Sequence, residues 1–170
     1  MGSIGLFYGS SSGVTETVAQ KIAAALNSKG FVVDVINVAN ASKSSFEKYD
    51  KLILGSSTWG MGDLQDDWEN IMGDLEDVDF NGKTVAFFGT GDQETYADTF
   101  LDAMGTIYEK VVDSKVNIVG CWPVEGYSFG DSKAVVDGEF IGLAIDEDNQ
   151  SSMTKKRIAD WAEMLTSQMA

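Results

Sequence analysis

Apolar residues fall along this chain in two alternating patterns. Five short runs are continuously apolar: Ile4–Tyr8, Phe31–Ile36, Leu52–Gly55, Val85–Gly89 and Val116–Gly120. They lack the in/out alternation of a sheet with one wet face, so each reads as a strand covered on both sides. Between the runs, apolar residues recur at helical spacing. Val14, Val18, Ile22, Ala25 and Leu26 form one stripe, closed by Gly30 as a C-terminal stop. Trp68, Ile71, Met72 and Leu75 form a second, and Phe100, Leu101, Met104, Ile107, Tyr108 and Val111 a third. Ile158, Trp161, Ala162, Leu165 and Met169 form the last, with Ser151, Ser152 or Thr154 as candidate N-cap. Ser42–Tyr49 reads as a shorter, weaker helix. These stripes are read as core packing.

Strands that alternate with helices predict right-handed crossovers and a three-layer α/β sandwich around a five-stranded parallel sheet. A single domain is expected over residues 1–170. The stretch Cys121–Phe140 fits neither pattern. Its Gly126, Gly130, Asp131 and Gly138 mark turns, and it is too long for an ordinary connection. It reads as an insertion, about 121–141, in or beside the fifth strand.

In such sheets, ligands bind beyond the carboxyl ends of the strands. Three loops there carry candidate chemistry. The first, Ser10-Ser11-Ser12-Gly13-Val14-Thr15, joins a strand to a helix start. Unpaired N–H groups, the positive end of the helix dipole and several hydroxyls suit a phosphate. A plain serine cap and turn is the competing reading. The loop has neither the Gly-Lys-Ser/Thr ending of a triphosphate loop nor the three-glycine dinucleotide pattern. The second, Ser56-Ser57-Thr58-Trp59-Gly60-Met61-Gly62-Asp63, puts a tryptophan on a glycine-flanked loop, where a large aromatic either stacks on a planar ligand or covers the sheet end. The third, Gly89-Thr90-Gly91-Asp92-Gln93-Glu94-Thr95-Tyr96-Ala97-Asp98, adds tight turns and a second aromatic. A phosphate cradle and two aromatic walls on one sheet edge describe a site for a flat ring with a phosphorylated tail.

Composition narrows the function. The 170 residues are 44% hydrophobic, enough for a sizeable core. The balance of 27 acidic against 12 basic side chains, formally −15, opposes nucleic acid and anionic membranes and favours a basic partner surface. With no histidine, His-based catalysis and His metal ligation are excluded. The single cysteine, Cys121, excludes an internal disulfide and reads as a buried structural thiol. No signal peptide or membrane span is evident, so a cytoplasmic location is expected. From Leu52 to Gly82 there is no lysine or arginine, while Asp63, Asp66, Asp67, Glu69, Asp74, Glu76, Asp77 and Asp79 crowd the span. That is either a solvated helix face or a docking rim for basic partners.

Taken together, the chain resembles a flavodoxin of the long-chain type. The matching segments are Gly5-Leu6-Phe7-Tyr8-Gly9-Ser10 with Gly13 and Thr15-Glu16; Thr58-Trp59; Phe80-Asn81-Gly82-Lys83; and Gly89-Thr90-Gly91-Asp92-Gln93 with Tyr96-Ala97-Asp98. Gly126-Tyr127, Asp131-Ser132-Lys133-Ala134 and Gly142-Leu143-Ala144-Ile145-Asp146-Glu147-Asp148-Asn149-Gln150 extend the match over essentially the whole chain. The resemblance implies strand order 2-1-3-4-5 and non-covalent FMN. By position, Ser10, Ser11, Ser12, Gly13, Val14 and Thr15 would hold the phosphate, and Thr58 would reach it. Trp59 and Tyr96 would flank the ring, Thr90, Gly91 and Asp92 would meet its pyrimidine edge, and Asp148 would contact the ribityl chain. Gly60, Met61 and Gly62 would lie beside N5, where the family turns a peptide carbonyl to the semiquinone. Serines at 10 and 12, where the family usually has threonines, keep the hydroxyl chemistry. Ser57 replaces a common proline.

The implied function is a low-potential one-electron carrier, shuttling between semiquinone and hydroquinone. It is expected to be a monomer without a substrate-converting site of its own. Its partners would be redox proteins with basic docking surfaces, such as an NADPH-dependent flavodoxin reductase and an electron acceptor. The rival is a flavin-dependent quinone or nitro reductase of the same fold, but no general acid or base and no nicotinamide domain is evident. A signalling receiver would need acidic residues where Tyr8-Gly9-Ser10 and Gly55-Ser56-Ser57 stand. A Cys-based phosphatase would need cysteine and arginine in the first loop.

Overall fold

The first apolar run forms β1 (Ile4–Gly9), and every residue of it is buried. In the computed structural model, which describes residues 3–112 and 115–170, β1 is an interior strand of the sheet, next to one edge. β2 (Val33–Asn37) and β3 (Lys51–Trp59) flank it, both parallel. The short β4 (Asp63–Leu64) folds back antiparallel on the end of β3, and β5 (Thr84–Thr90) runs parallel beside β3. The single domain expected over 1–170 includes residues 1, 2, 113 and 114, which lie outside the described residues.

The fifth strand differs from the expectation. The Val116–Gly120 run yields only β6 (Asn117–Ile118), parallel to the start of β5 at Thr84 and Val85. Beside the end of β5, at Phe88 to Thr90, lies β10 (Leu143–Ile145). The fifth position is thus filled by two pieces along one edge, and the order is 2-1-3-4-5 with β5 as the fourth strand. The chain between the pieces is the insertion, a small antiparallel sheet of β7 (Trp122–Pro123), β8 (Val135–Val136) and β9 (Glu139–Phe140), with β9 in the middle. Its inner side is aromatic: Phe100, Tyr127, Phe129 and Phe140 have ring centroids 5.1–6.1 Å apart. Arg157 stacks its guanidinium 4.0 Å from the Tyr127 centroid. Cys121, at the start of the insertion, is half-buried; burial, then the charge of Glu139, raises its thiol pKa.

The helices follow the stripes. They are α1 (Val14–Asn27), α2 (Lys43–Glu47), α3 (Asp66–Glu76), α4 (Asp102–Val111) and α5 (Thr154–Gln168). α1 packs with α5, and α3 packs with α2 and α4, so the sheet is covered on both faces. Two helix tryptophans are anchored by their indole N–H groups, one to β3 and one to the chain just after β6. Trp68 donates to the Gly55 carbonyl and Trp161 to that of Gly120, each at 2.8 Å, which satisfies the polar end of a buried ring.

Helix starts depart from the reading at two places. None of Ser151, Ser152 and Thr154 caps α5: Ser151–Met153 is a 3-10 turn that leads into it, and no side chain makes a cap bond. The third stripe overruns its helix, because Leu101 adopts φ 59° and α4 begins after it. Phe100 and Leu101 are buried all the same.

Candidate functional site

The site begins at Gly13. This N-cap of α1 takes φ 90°, a left-handed conformation that glycine adopts without steric cost. No side chain caps the helix there, so its first N–H groups are left for another partner. The loop braces itself. Ser10 Oγ accepts from the Gly13 N–H at 3.0 Å, and the buried Thr15 Oγ1 bonds Thr90 Oγ1 at 2.9 Å. Ser11 Oγ accepts from Gln65 Nε2 at 3.0 Å.

Gln65 was not singled out by sequence. Its buried amide caps α3, with Oε1 accepting from the N–H groups of Asp67 and Trp68. The same amide reaches the first loop through Ser11. Glutamine is not among the favoured N-cap residues, so no local signal marks it.

Above this loop lies a cleft of about 340 Å³ at the carboxyl ends of β1, β3 and β5, within the range typical of ligand sites. Ser12 and Val14 line it from the first loop. Ser57, Thr58, Trp59 and Gly60 line it from the second, and Thr90, Gly91, Asp92, Thr95 and Tyr96 from the third. Glu147 and Asp148 close it from the chain after β10. The three loops therefore meet, together with a fourth. Ser57, Thr95 and Glu147 had no assigned place in the sequence reading. Of the expected residues, Ser10, Ser11, Gly13, Thr15, Met61 and Gly62 do not line this cleft; Gly13 lines an adjoining groove with Ser12, Val14 and Lys21.

The aromatic pair stands apart from the rest of the protein. Trp59 and Tyr96 are each 43% exposed, whereas Trp68, Trp122 and Trp161 are all buried. Trp59 is held at one end, its Nε1 donating to Ser57 Oγ at 2.8 Å. Its loop turns tightly, with the Gly62 N–H donating to the Trp59 carbonyl at 3.2 Å and Gly60 at φ 52°. Met61 projects from the tip, 86% exposed. Thr58 Oγ1 accepts from the Ala103 N–H at 3.1 Å, which caps α4 and leaves the hydroxyl proton free to donate. The Gly91 N–H is donated to the Ile145 carbonyl at 3.0 Å, so Gly91 can turn only its carbonyl to a ligand.

The cleft is electronegative. Asp92, Glu147 and Asp148 line it, and no lysine or arginine does among the described residues. Burial, reinforced by the charges of Asp92, Asp146 and Glu147, raises the Asp148 pKa. Burial pushes Asp92 the same way, but the Thr95 N–H and hydroxyl, the Asn149 amide and the Glu94 N–H outweigh it and hold its carboxyl below the ordinary range.

The comparisons with known proteins agree with this arrangement. The flavodoxin family model matches residues 6–161. The flavodoxin of Synechococcus elongatus is 50% identical over 168 residues, covering 99% of this chain and 98% of that one. That of Helicobacter pylori is 46% identical over the full length of both. Among solved structures, Fusobacterium nucleatum flavodoxin bound to flavin mononucleotide superposes with a TM-score of 0.93 at 33% identity, covering 99% of each chain. With a family model over most of its length and near-full-length relatives at this identity, the chain belongs to the flavodoxin family.

Proposed function

We propose that this chain carries single electrons at low potential on non-covalently bound FMN and passes them between redox partner proteins. One observation carries the reading: an uncapped helix start with hydroxyls and two half-exposed aromatic rings border the same cleft. The residues present fit the group. Donors without full charge gather at one end and flat apolar surface at the other. Bound FMN supplies reversible one-electron chemistry at its ring.

The chain's own groups do the rest. The N–H groups that open α1, with the Ser12 and Thr58 hydroxyls, hold the phosphate. Ser10, Ser11 and Thr15 act on the loop's shape through their bonds to Gly13, Gln65 and Thr90. Trp59 and Tyr96 flank the ring and exclude water from its faces. The backbone of Thr90, Gly91 and Asp92 meets its polar edge, and Asp148 the ribityl hydroxyls. Gly60, with Met61 and Gly62, supplies a turn whose peptide can reorient at N5. Among the described residues no lysine or arginine lines the cleft, so nothing there neutralises the phosphate by a full positive charge. A like charge at ~10 Å and an effective dielectric of ~20 costs roughly 1.7 kcal/mol, or about 70 mV for one electron, before salt screening. The acidic lining therefore makes the second reduction harder and the fully reduced protein a stronger donor.

The partners are redox proteins with basic surfaces, an NADPH-dependent flavodoxin reductase on the donor side and an electron acceptor on the other. They dock on the acidic rim beside Trp59, and the chain works as a cytoplasmic monomer. The test is titration of the cofactor-free chain with FMN, followed by flavin fluorescence. One equivalent taken up with quenching is the expected result; unquenched, unbound FMN overturns the reading.

A further inference from the structure

We infer that Asp146 is the positioning residue of the ring site: a fully buried carboxylate, outside the cleft, that fixes the loops carrying Tyr96, Asp92 and Asp148. It rests on the FMN reading above and deepens it. Asp146 is 0% exposed and has no cation at salt-bridge distance among the described residues. An ionised carboxylate accepts hydrogen bonds and donates none, and here every contact is a donor aimed at it. Oδ2 accepts from the Gln93 N–H at 3.1 Å, Gln93 Nε2 at 2.7 Å and Asn149 Nδ2 at 2.9 Å. Oδ1 accepts from the N–H groups of Asp148 at 3.1 Å and Asn149 at 3.0 Å. Buried charge persists only with such compensation.

The donors come from two loops that each supply cleft-lining residues. Asp148 is held by its own N–H. Asp92 is reached in one further step, since Asn149 Nδ2 also donates to Asp92 Oδ1 at 2.8 Å. Asp92 then accepts the Thr95 N–H on the same oxygen at 2.9 Å, and the Tyr96 N–H on its carbonyl at 3.1 Å. The chain Asp146–Asn149–Asp92–Tyr96 thus sets where the aromatic wall stands. Gln93 extends the network to the insertion, its Oε1 accepting the Ser128 N–H at 2.6 Å. None of these bonds involves the first loop, which is braced instead through Gln65 and through the Thr15–Thr90 hydroxyl bond at the end of β5.

That separation makes the inference testable with Asp146→Asn, which keeps shape but puts an amide N–H₂ against donors. Riboflavin, which has the ring and no phosphate, is compared with FMN. Riboflavin and FMN should both bind the variant more than tenfold more weakly, by the same factor. Ser12→Ala should weaken FMN and leave riboflavin unchanged. In the cofactor-free variant, amide exchange should quicken at Gln93, Asp148 and Asn149, with α1 amides unaltered, in conditions where both proteins are fully folded. Unchanged flavin affinities in a folded variant, or a loss confined to FMN, overturn the inference. A wild-type chain that binds neither flavin overturns the FMN reading instead.

Discussion

Gly60 shows how much a single residue can decide. Its φ of 52° lies in the left-handed region, and an added Cβ would stand 3.1 Å from Asp63 Oδ2. Holding an L-residue there costs ~1–2 kcal/mol, and more for a β-branched one. Gly60→Val should therefore lower the thermal midpoint by roughly 2–8 °C. It should also reduce the share of one-electron-reduced protein seen during stepwise reduction, because the proposed reorientation of the Gly60 peptide at N5 would be hindered. Calorimetry and redox titration check the two effects. Gly60 and its neighbour Trp59 were legible in sequence because a large aromatic between a strand end and glycines has few structural uses. Gln65 and Asp146 were not. Each also makes local bonds, but the contact that ties it to the site reaches 54 and 53 positions away, to Ser11 and Gln93, and nothing local marks that contact.

At the scale of elements, the acidic segment from β4 through α3 separates two readings. Asp66, Asp67 and Glu69 occupy the first turn of α3, where negative charge complements the helix dipole. That is a structural use for part of the run. Glu76 pairs with Lys110 at 3.0 Å, and Asp79 accepts the Asn81 N–H. Asp63, Asp66 and Glu69 are exposed, and Asp63 pairs across the turn with Trp59. In the docking proposal, the partner contact is assigned to these three. Exposed ion pairs are worth ~0.2–1 kcal/mol each. The triple change Asp63→Asn, Asp66→Asn and Glu69→Gln should slow transfer from a basic reductase about threefold or more at low ionic strength. It should also flatten the rate's dependence on salt, as stopped-flow measurement over a salt series would show. An unaltered salt slope would leave the run as a solvated helix face.

Elements with long apolar runs were legible: β1, β3 and β5 appear within a few residues of their expected bounds. β3 runs on to Trp59 because β4 supplies a partner for its end. β10 escaped notice because three residues carry no period. Its strand character comes from the edge of β5 that the insertion leaves open.

Across the whole molecule, the insertion is joined to the sheet by buried polar bonds as well as rings. The Tyr127 hydroxyl donates to the Ala144 carbonyl at 2.5 Å and accepts from Trp122 Nε1 at 3.0 Å. Burial, the dominant cause, pushes the Tyr127 pKa up to about 12, although the Arg157 charge and the Trp122 bond work against it. Tyr49, by burial and its bond to Asp34, is also raised to about 12. A tyrosine that stays neutral in the folded state loses ground to the unfolded chain once the latter ionises. The stability it contributes is complete below the ordinary tyrosine value of 10.0 and is lost as pH rises from there to about 12. Denaturant midpoints should fall across that window, and less steeply in Tyr127→Phe after allowing for its lower starting stability.

The parallel sheet, covered on both faces, and the meeting of three loops at one edge were readable from periodicity and the rules of α/β packing, whereas the strand order 2-1-3-4-5 came from the family resemblance. The fourth wall, Glu147 and Asp148 behind the split strand, depended on how the insertion returns to the sheet. The proposed function requires that a single flavin, held between Trp59 and Tyr96 in an electronegative cleft, take up two electrons in separate steps. The most direct test is the visible spectrum of the FMN-loaded chain during anaerobic stepwise reduction against a series of reference dyes. Two resolved one-electron steps are predicted, with the second at the more negative potential. A single two-electron step would contradict the account.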